Sequence, residues 1–280
     1  MTFRFFENGT VYDIKNNQLM VNLYRGTVFD GSPQNVYMRI FTAQGIESIA
    51  LLNASAACSF SADQQSFTAQ GEFQQISYSL TFSLSPNSNT WFWSASAVNT
   101  GDEQVVIDFV YCQDIGLAAP GAILSNESYV CHYQDHKFYQ TEDKSYLLAT
   151  RQNLAQDKKF PWLMSGNLTG ATAFLTDGFQ FFGLNYRENQ MPQALESQDL
   201  DSSKKQYEFS CHVLQSKRLT LASQERGESV FFSTFDENHP EPNSDADLEK
   251  ISSVQNDFAQ LAQINSFSFT AINSINIFET

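Results

Sequence analysis

Positive charge is scarce in this sequence. Lysine and arginine number 16 against 31 aspartates and glutamates, which leaves a formal net charge of −15 over 280 residues. A field of that sign repels phosphate backbones and anionic membrane surfaces, so neither nucleic acid nor membrane is expected as a partner. A neutral sugar is indifferent to it. Long apolar runs are missing too, and none approaches the roughly 20 residues that span a bilayer. The opening MTFRFFENGTVYD lacks the apolar core and small-residue cleavage site of a signal peptide, so a cytoplasmic location is expected. The sequons at Asn8, Asn53, Asn126 and Asn167 then carry little meaning. Cysteine is sparse: Cys58, Cys112, Cys131 and Cys211 stand far apart with no C-x-x-C pair. That spacing argues against a disulfide framework or a zinc site and predicts reduced, buried thiols. No Gly-rich turn opens a helix, and Arg4, Arg25, Arg39, Arg151, Arg187, Arg218 and Arg226 are scattered, so no phosphate cradle is in sight. A G-x-S-x-G nucleophile elbow is absent as well.

Aromatics are plentiful instead. They make up 14% of the chain, 25 of them Phe, and aromatics suit pleated, half-buried surfaces. Alternating or aromatic-rich runs bounded by turn residues dominate the first 235 residues. Phe3–Phe6 precedes an Asn8-Gly9 pair that favours a tight hairpin. Val11–Ile14, Leu19–Tyr24, Val36–Phe41 and Ile46–Leu51 read as strands, and Phe73–Leu84 reads as one long strand with Ile76, Tyr78, Leu80, Phe82 and Leu84 on one face. Trp91–Val98 and Gln104–Cys112 follow, the latter apolar enough to be buried on both faces. Tyr129–Tyr139, Tyr146–Thr150, Ala171–Thr176, Phe179–Leu184, Gln206–Leu214 and Ser229–Phe235 complete the set. Many strands without an intervening helical pattern predict an all-β chain built as a large antiparallel sandwich.

The pattern changes at His239-Pro240-Glu241-Pro242, where two prolines stop a strand and stiffen a linker. Ser244, before Asp245 and Asp247, has the makings of an N-cap. Leu248, Ile251, Val254, Phe258, Leu261 and Ile264 then form one apolar stripe on a helix, which has to pack on something. The expected division is a β-domain over 1–238 and a linker helix with a tail over 239–280. The tail stays apolar through Phe267, Phe269, Ile272, Ile275, Ile277 and Phe278, and reads as cut.

Titratable residues concentrate in one stretch, Tyr111–Lys137, YCQDIGLAAPGAILSNESYVCHYQDHK. Asp114, His132, Asp135 and His136 are its obvious acid–base suspects. Strand alternation puts His132, Gln134 and His136 on one face and Tyr133, Asp135 and Lys137 on the other. An acid and a base on opposite faces cannot serve one substrate, and HYQDH does not have the helical spacing of a zinc pair. Such groups line a sheet surface, an interdomain face or a buried hydrogen-bond network. Trp91 and Trp93 share a face and could stack a glucan, although core packing is the commoner fate of such a pair. Trp162, after Phe160-Pro161, is the better candidate for an exposed aromatic.

Four blocks resemble one family of glycoside phosphorylases. They are the segment just quoted, LYRGTVFDGSPQNVYMRIF (Leu23–Phe41), FPWLMSGNLTGATAFLTDGFQFFGLNY (Phe160–Tyr186) and FFSTFDENHPEPNSDADLEKI (Phe231–Ile251). The family includes the 1,2-β-oligoglucan phosphorylases, cellobiose phosphorylase and the phosphorylase-like domain of cyclic β-1,2-glucan synthase, and the likeness is strongest to the first. The resemblance implies a mutarotase-like β-supersandwich, a linker helix, and then an (α/α)₆ barrel carrying the general-acid Asp and the phosphate site. No residue here matches the barrel motifs, so no catalytic residue is carried over. What the resemblance implies for this stretch is a non-catalytic N-terminal domain that supports assembly, a homodimer and enclosure of an active site for β-1,2-glucooligosaccharides. Inorganic phosphate would be a co-substrate of the parent enzyme, and no cofactor or metal is expected. Tyr133, Gln134, Asp135, His136 and Trp162 are the candidates to border substrate. Two other functions stay open: a stand-alone carbohydrate-binding module using Trp91, Trp93 or Trp162, and a mutarotase-like epimerase.

Overall fold

The computed structural model describes residues 1–28, 30–53, 56–60, 66–206, 208–264 and 270–271. The first half of the chain forms β1 (Thr2–Phe5), β2 (Val11–Asn16), β3 (Leu19–Met20), β4 (Asn35–Thr42), β5 (Gly45–Ala50), β6 (Ala57–Phe60), β7 (Ser66–Phe73), β8 (Ile76–Leu84), β9 (Thr90–Asn99) and β10 (Val105–Asp114). Two short helices, α1 (Pro120–Ser125) and α2 (Glu127–Cys131), lead to β11 (Gln134–Gln140), β12 (Tyr146–Gln152), β13 (Trp162–Asn167) and β14 (Ala171–Asp177). Then come α3 (Gly178–Phe182), α4 (Tyr186–Asn189), β15 (Ser210–Ser216), β16 (Leu219–Leu221), β17 (Arg226–Asp236) and α5 (Lys250–Ile264).

Two antiparallel sheets face one another. The larger has nine strands in the order β11-β12-β13-β17-β9-β8-β7-β6, closed by Thr270–Ala271, and the smaller has six, β14-β15-β10-β4-β5 with β16 also on β10. A third, three-stranded sheet joins β1, β2 and β3. This is the expected antiparallel supersandwich. Alternation sorts the side chains: Trp91, Trp93, Leu163 and Phe231 point between the sheets with Met38, Phe109 and Leu214, while Phe92, Met164 and Phe232 point outward. β10 runs through the middle of the smaller sheet, between β4 and β15, and is buried from Ile107 to Asp114.

The outward apolar row would be exposed on a bare sandwich. α5 and the 3₁₀ turn before it cover this row, setting Val254, Leu261, Ile251 and Phe258 of the helix and Leu248 of the turn against Phe92, Trp162, Val230 and Phe232, with the Phe258 and Phe92 rings 5.1 Å apart. The side chain of Ile264, and the tail residues Phe267, Phe269, Ile272, Ile275, Ile277 and Phe278, lie outside the described residues.

Four strand expectations are corrected. Phe73–Leu84 is a hairpin, turned at Gln74 and Gln75 with φ of 51° and 59°, so its first residue belongs to the preceding strand. Leu19–Tyr24 keeps strand structure only at Leu19–Met20. Phe179–Leu184 is helical at its start: both carboxylate oxygens of Asp177 accept from the amides of Phe179 and Gln180, an N-cap that overrides the strand preference of the aromatics. Likewise Tyr129 lies in a helix, not a strand, because Asn126 caps α2 by accepting from the Tyr129 amide at 2.9 Å.

Candidate functional site

The titratable segment leaves β10 and passes through α1 and α2 into β11, an edge strand of the larger sheet. Asp114, at the end of β10, is fully buried, and its Oδ2 accepts from the amides of Leu23 and Tyr24 at 2.8 and 2.7 Å. Burial pushes its carboxyl up to about 6, against the pull of those two donors. Tyr133 sits in the turn before β11, 38% exposed, its hydroxyl donating to that of Tyr129 at 3.2 Å. From Gln134 onward the side chains alternate inward and outward.

The inward face enters a polar layer in the middle of the sandwich. Gln134 is buried and donates to the carbonyls of Ile115 and Gly116. His136 Nδ1 lies 2.6 Å from Thr150 Oγ1, which lies 2.7 Å from His212 Nε2. His212 Nδ1 meets Ser165 Oγ at 2.9 Å, Ser165 meets Ser233 at 2.8 Å, and Ser233 meets the Tyr111 hydroxyl at 3.1 Å. Tyr111 then donates to Gln113 Oε1 at 3.1 Å. Every member is buried, so the chain of contacts ties four strands of one sheet to two of the other through hydroxyls and imidazoles. Burial pushes His136 down to about 3, helped by Lys204, and pushes His212 well below its ordinary value. Both rings are neutral across the physiological range and out of reach of a ligand.

The outward face of β11 grips the linker. The Asn243 amide donates to the Asp135 carbonyl at 2.8 Å and to its Oδ2 at 3.2 Å, while Asn243 Oδ1 accepts from Trp162 Nε1 at 2.8 Å. Arg151, opposite Asp135 on β12, donates to the carbonyls of His239 and Pro240 at 2.7 and 2.8 Å and lies over the Phe160 ring. The Tyr139 hydroxyl donates to Asp247 Oδ2 at 2.7 Å, and that oxygen also accepts from the Ser244 amide. Ser244 thus caps the 3₁₀ turn Asp245–Glu249 that feeds α5. Lys137–Asp245 and Lys250–Asp236 ion pairs flank the clamp at the surface, where each adds little.

The five expected border residues therefore separate by face. Gln134 and His136 join the interior layer, Trp162 and Asp135 hold the linker, and Tyr133 stands in solvent beside Tyr129. The expectation that Trp162 is exposed is corrected. It is buried under the linker, because two prolines fix that crossing chain over it and Asn243 satisfies its ring N–H. Trp91 and Trp93 are buried in the core, so none of the three tryptophans offers a face to a sugar. The residues missed by sequence reasoning are Asn243, Arg151, Asp247 and His239. For His239, Asn243 and Asp247 the signal was the Pro-rich stretch and the turn after it, whereas Arg151, on β12, gave none. A cavity of about 760 Å³ opens elsewhere, between the β1–β2 turn, Tyr37 and Tyr186, but its amides Asn35 and Asn53 are spent on the carbonyls of Leu52 and Ala50.

A family model described as the SOGP N-terminal domain matches residues 4–233. The chain belongs to that family. Among curated proteins, this SOGP N-terminal domain is 28% identical over 257 residues to a 1,2-beta-oligoglucan phosphorylase of Listeria innocua. The match covers 91% of the chain and 22% of that protein, so the chain spans about a fifth of its relative. Among solved structures, a polysaccharide lyase aligns with a TM-score of 0.51 at 9% identity, over 85% of this chain and 32% of that one. A galactose 1-epimerase from Lactobacillus acidophilus NCFM aligns at 0.48 and 8% identity, over 83% and 90%. At such identities the lyase likeness speaks for the fold alone. No helix among the described residues is long and apolar enough to cross a membrane.

Proposed function

We propose that this SOGP N-terminal domain is the non-catalytic N-terminal part of an inverting phosphorylase that acts on β-1,2-linked glucooligosaccharides with inorganic phosphate. The observation that carries the reading is the alignment of 91% of the chain with 22% of a 1,2-beta-oligoglucan phosphorylase. The site geometry supports it. Glycoside chemistry needs a carboxyl placed at the scissile bond. Two carboxylates of the titratable segment have other work: Asp114 caps backbone amides and Asp135 holds Asn243. The domain's role is then assembly, dimerisation and enclosure of an active site built on the catalytic (α/α)₆ barrel, in the cytoplasm. The clamp on the linker supplies the rigid exit such a role requires. Tyr133, the solvent-facing member of the candidate set, is our candidate to border substrate.

A chimera tests this. Replacing the matched fifth of the Listeria innocua enzyme with this chain should give a protein that releases glucose 1-phosphate from β-1,2-glucooligosaccharides in the presence of phosphate. A soluble, folded chimera without that activity counts against the reading.

A further inference from the structure

Arginines that lie far apart in the sequence do not all stay apart in the fold. Arg4 of β1 stands opposite Asp13 of β2, and Lys15 follows two residues on. Alternation puts all three on the face of the three-stranded sheet turned away from Phe3 and Ile14, which pack in the core. Arg25 reaches the same place from the segment after β3, which is tied to β2 by a hydrogen bond from the Gly26 amide to the Tyr12 carbonyl at 2.9 Å. The Tyr12 ring steadies both guanidiniums, with Cζ of Arg4 and Arg25 at 4.6 and 6.0 Å from its centroid.

These cations converge on one buried carboxylate. Arg4 donates to both oxygens of Asp13 through Nε, at 2.6 Å, and Nη2, while Lys15 Nζ and Arg25 Nε lie 3.4 and 3.8 Å from Oδ2. Burial pushes the Asp13 carboxyl up, but Arg4 and Lys15 hold it below its ordinary value, so it is ionised at neutral pH. A bidentate arginine already satisfies a carboxylate. Asp13 thus offsets one of three positive charges, and no other carboxylate among the described residues pairs with any of them. Arg25 is the plainest excess, since its Nε is buried and has no hydrogen-bond partner. Like charges held this close repel one another, and a second anion relieves that repulsion. The side chains remain within reach of one: Lys15 and Arg25 are each 30% exposed and Arg4 is 51% exposed.

We propose that Arg4, Lys15 and Arg25 form a binding site for a phosphate-class oxyanion, free or carried as the ester of a small molecule. The two positive charges that Asp13 leaves uncompensated match a phosphate dianion, and the planar guanidinium fork matches its oxygens. Arg4 keeps Asp13 in place, while Arg25 and Lys15 supply donors to the ligand. The site shares no residue with the linker clamp and does not depend on the glucan reading.

Proton–nitrogen NMR of the whole chain at neutral pH and low salt tests it, with inorganic phosphate as the probe and sodium chloride at matched ionic strength as the control. The Arg25 Nε–H signal, identified by its loss in Arg25→Gln, should shift saturably with phosphate and stay in place with chloride. Arg25→Gln and Lys15→Gln should each weaken phosphate binding about tenfold, the loss expected of one hydrogen bond to a charged group, read from the backbone amides of β1 and β2. Both variants leave the Arg4–Asp13 pair whole, so their other amide signals should stay native. Arg226→Gln, on β17, should bind phosphate as the native chain does. Glucose 1-phosphate in a parallel titration separates the two sources: tighter binding than inorganic phosphate assigns the ester, and equal or weaker binding assigns the free anion. Four results would each overturn the proposal. They are shifts that chloride reproduces, native affinity in Arg25→Gln and Lys15→Gln, an equal loss in Arg226→Gln, and self-association that Arg25→Gln abolishes, which would make an acidic face of a second copy the occupant.

Discussion

HYQDH looks like catalytic machinery at the residue scale because it sets an acid among imidazoles, yet Gln134, Asp135 and His136 each have a structural partner. Strand alternation alone separates Gln134 and His136 from Asp135 and Lys137. What alternation could not supply was the partner across the sandwich. Thr150, Ser165, His212 and Ser233 meet His136 only because distant strands register against each other. The buried imidazoles make stability depend on pH with a fixed sign. His136 is neutral in the folded chain down to about 3, whereas the unfolded chain takes up a proton near 6.5. Between those values the unfolded state binds more protons, so stability falls as pH drops, by about 1.4 kcal/mol per unit from His136. Asp114 has the opposite sign. Its folded value of about 6 exceeds the unfolded 3.8, so it adds roughly the same amount per unit as pH falls through that window. Urea unfolding between pH 6 and 4.5 should therefore show a steeper acid loss in Asp114→Asn than in the native chain, by about 1.4 kcal/mol per unit. Identical slopes would show that Asp114 does not titrate as its burial requires.

Elements that carry their own signal were legible in the sequence. The helix stripe from Leu248 to Leu261 and the cap at Ser244 predicted α5, and the apolar run of β10 predicted a strand buried on both faces. Misread elements were those where one capping side chain overruled propensity, Asn126 for α2 and Asp177 for α3. The turn at Gln74-Gln75 was hidden because neither residue is a usual choice for positive φ. α5 rests on the sheet through few residues, so its docking is sensitive to each. Leu261→Ala should cost about 2 kcal/mol by chemical denaturation, the low end for a buried leucine at the rim of a core. Val254→Asp should release the helix and expose Phe92 and Phe232, read as increased binding of a hydrophobic dye without loss of strand signal. Gly26 tests a different contact: a Cβ there would lie 2.2 Å from the Val11 carbonyl oxygen. Gly26→Ala should destabilise the chain by roughly 1–3 kcal/mol through backbone displacement, measurable as a lowered urea midpoint.

At the scale of the molecule, the composition marked an acidic, β-rich chain, and the order of four sequence blocks pointed to the family that the match over residues 4–233 then established. Function was less legible than fold. Gln134, Asp135, His136 and Trp162 serve packing and linker docking, so the proposed role is read through the protein the chain resembles. The clamp gives that role a physical form, because Asp135, Arg151, Trp162 and Asn243 fix the chain leaving the sandwich in one direction. On this reading the domain holds a catalytic part in place and performs no phosphorolysis itself. The most direct test is to incubate the purified chain with sophorotriose and inorganic phosphate and to measure glucose 1-phosphate. No release above the protein-free control is expected, and phosphate-dependent release that scales with the concentration of the chain would contradict the reading.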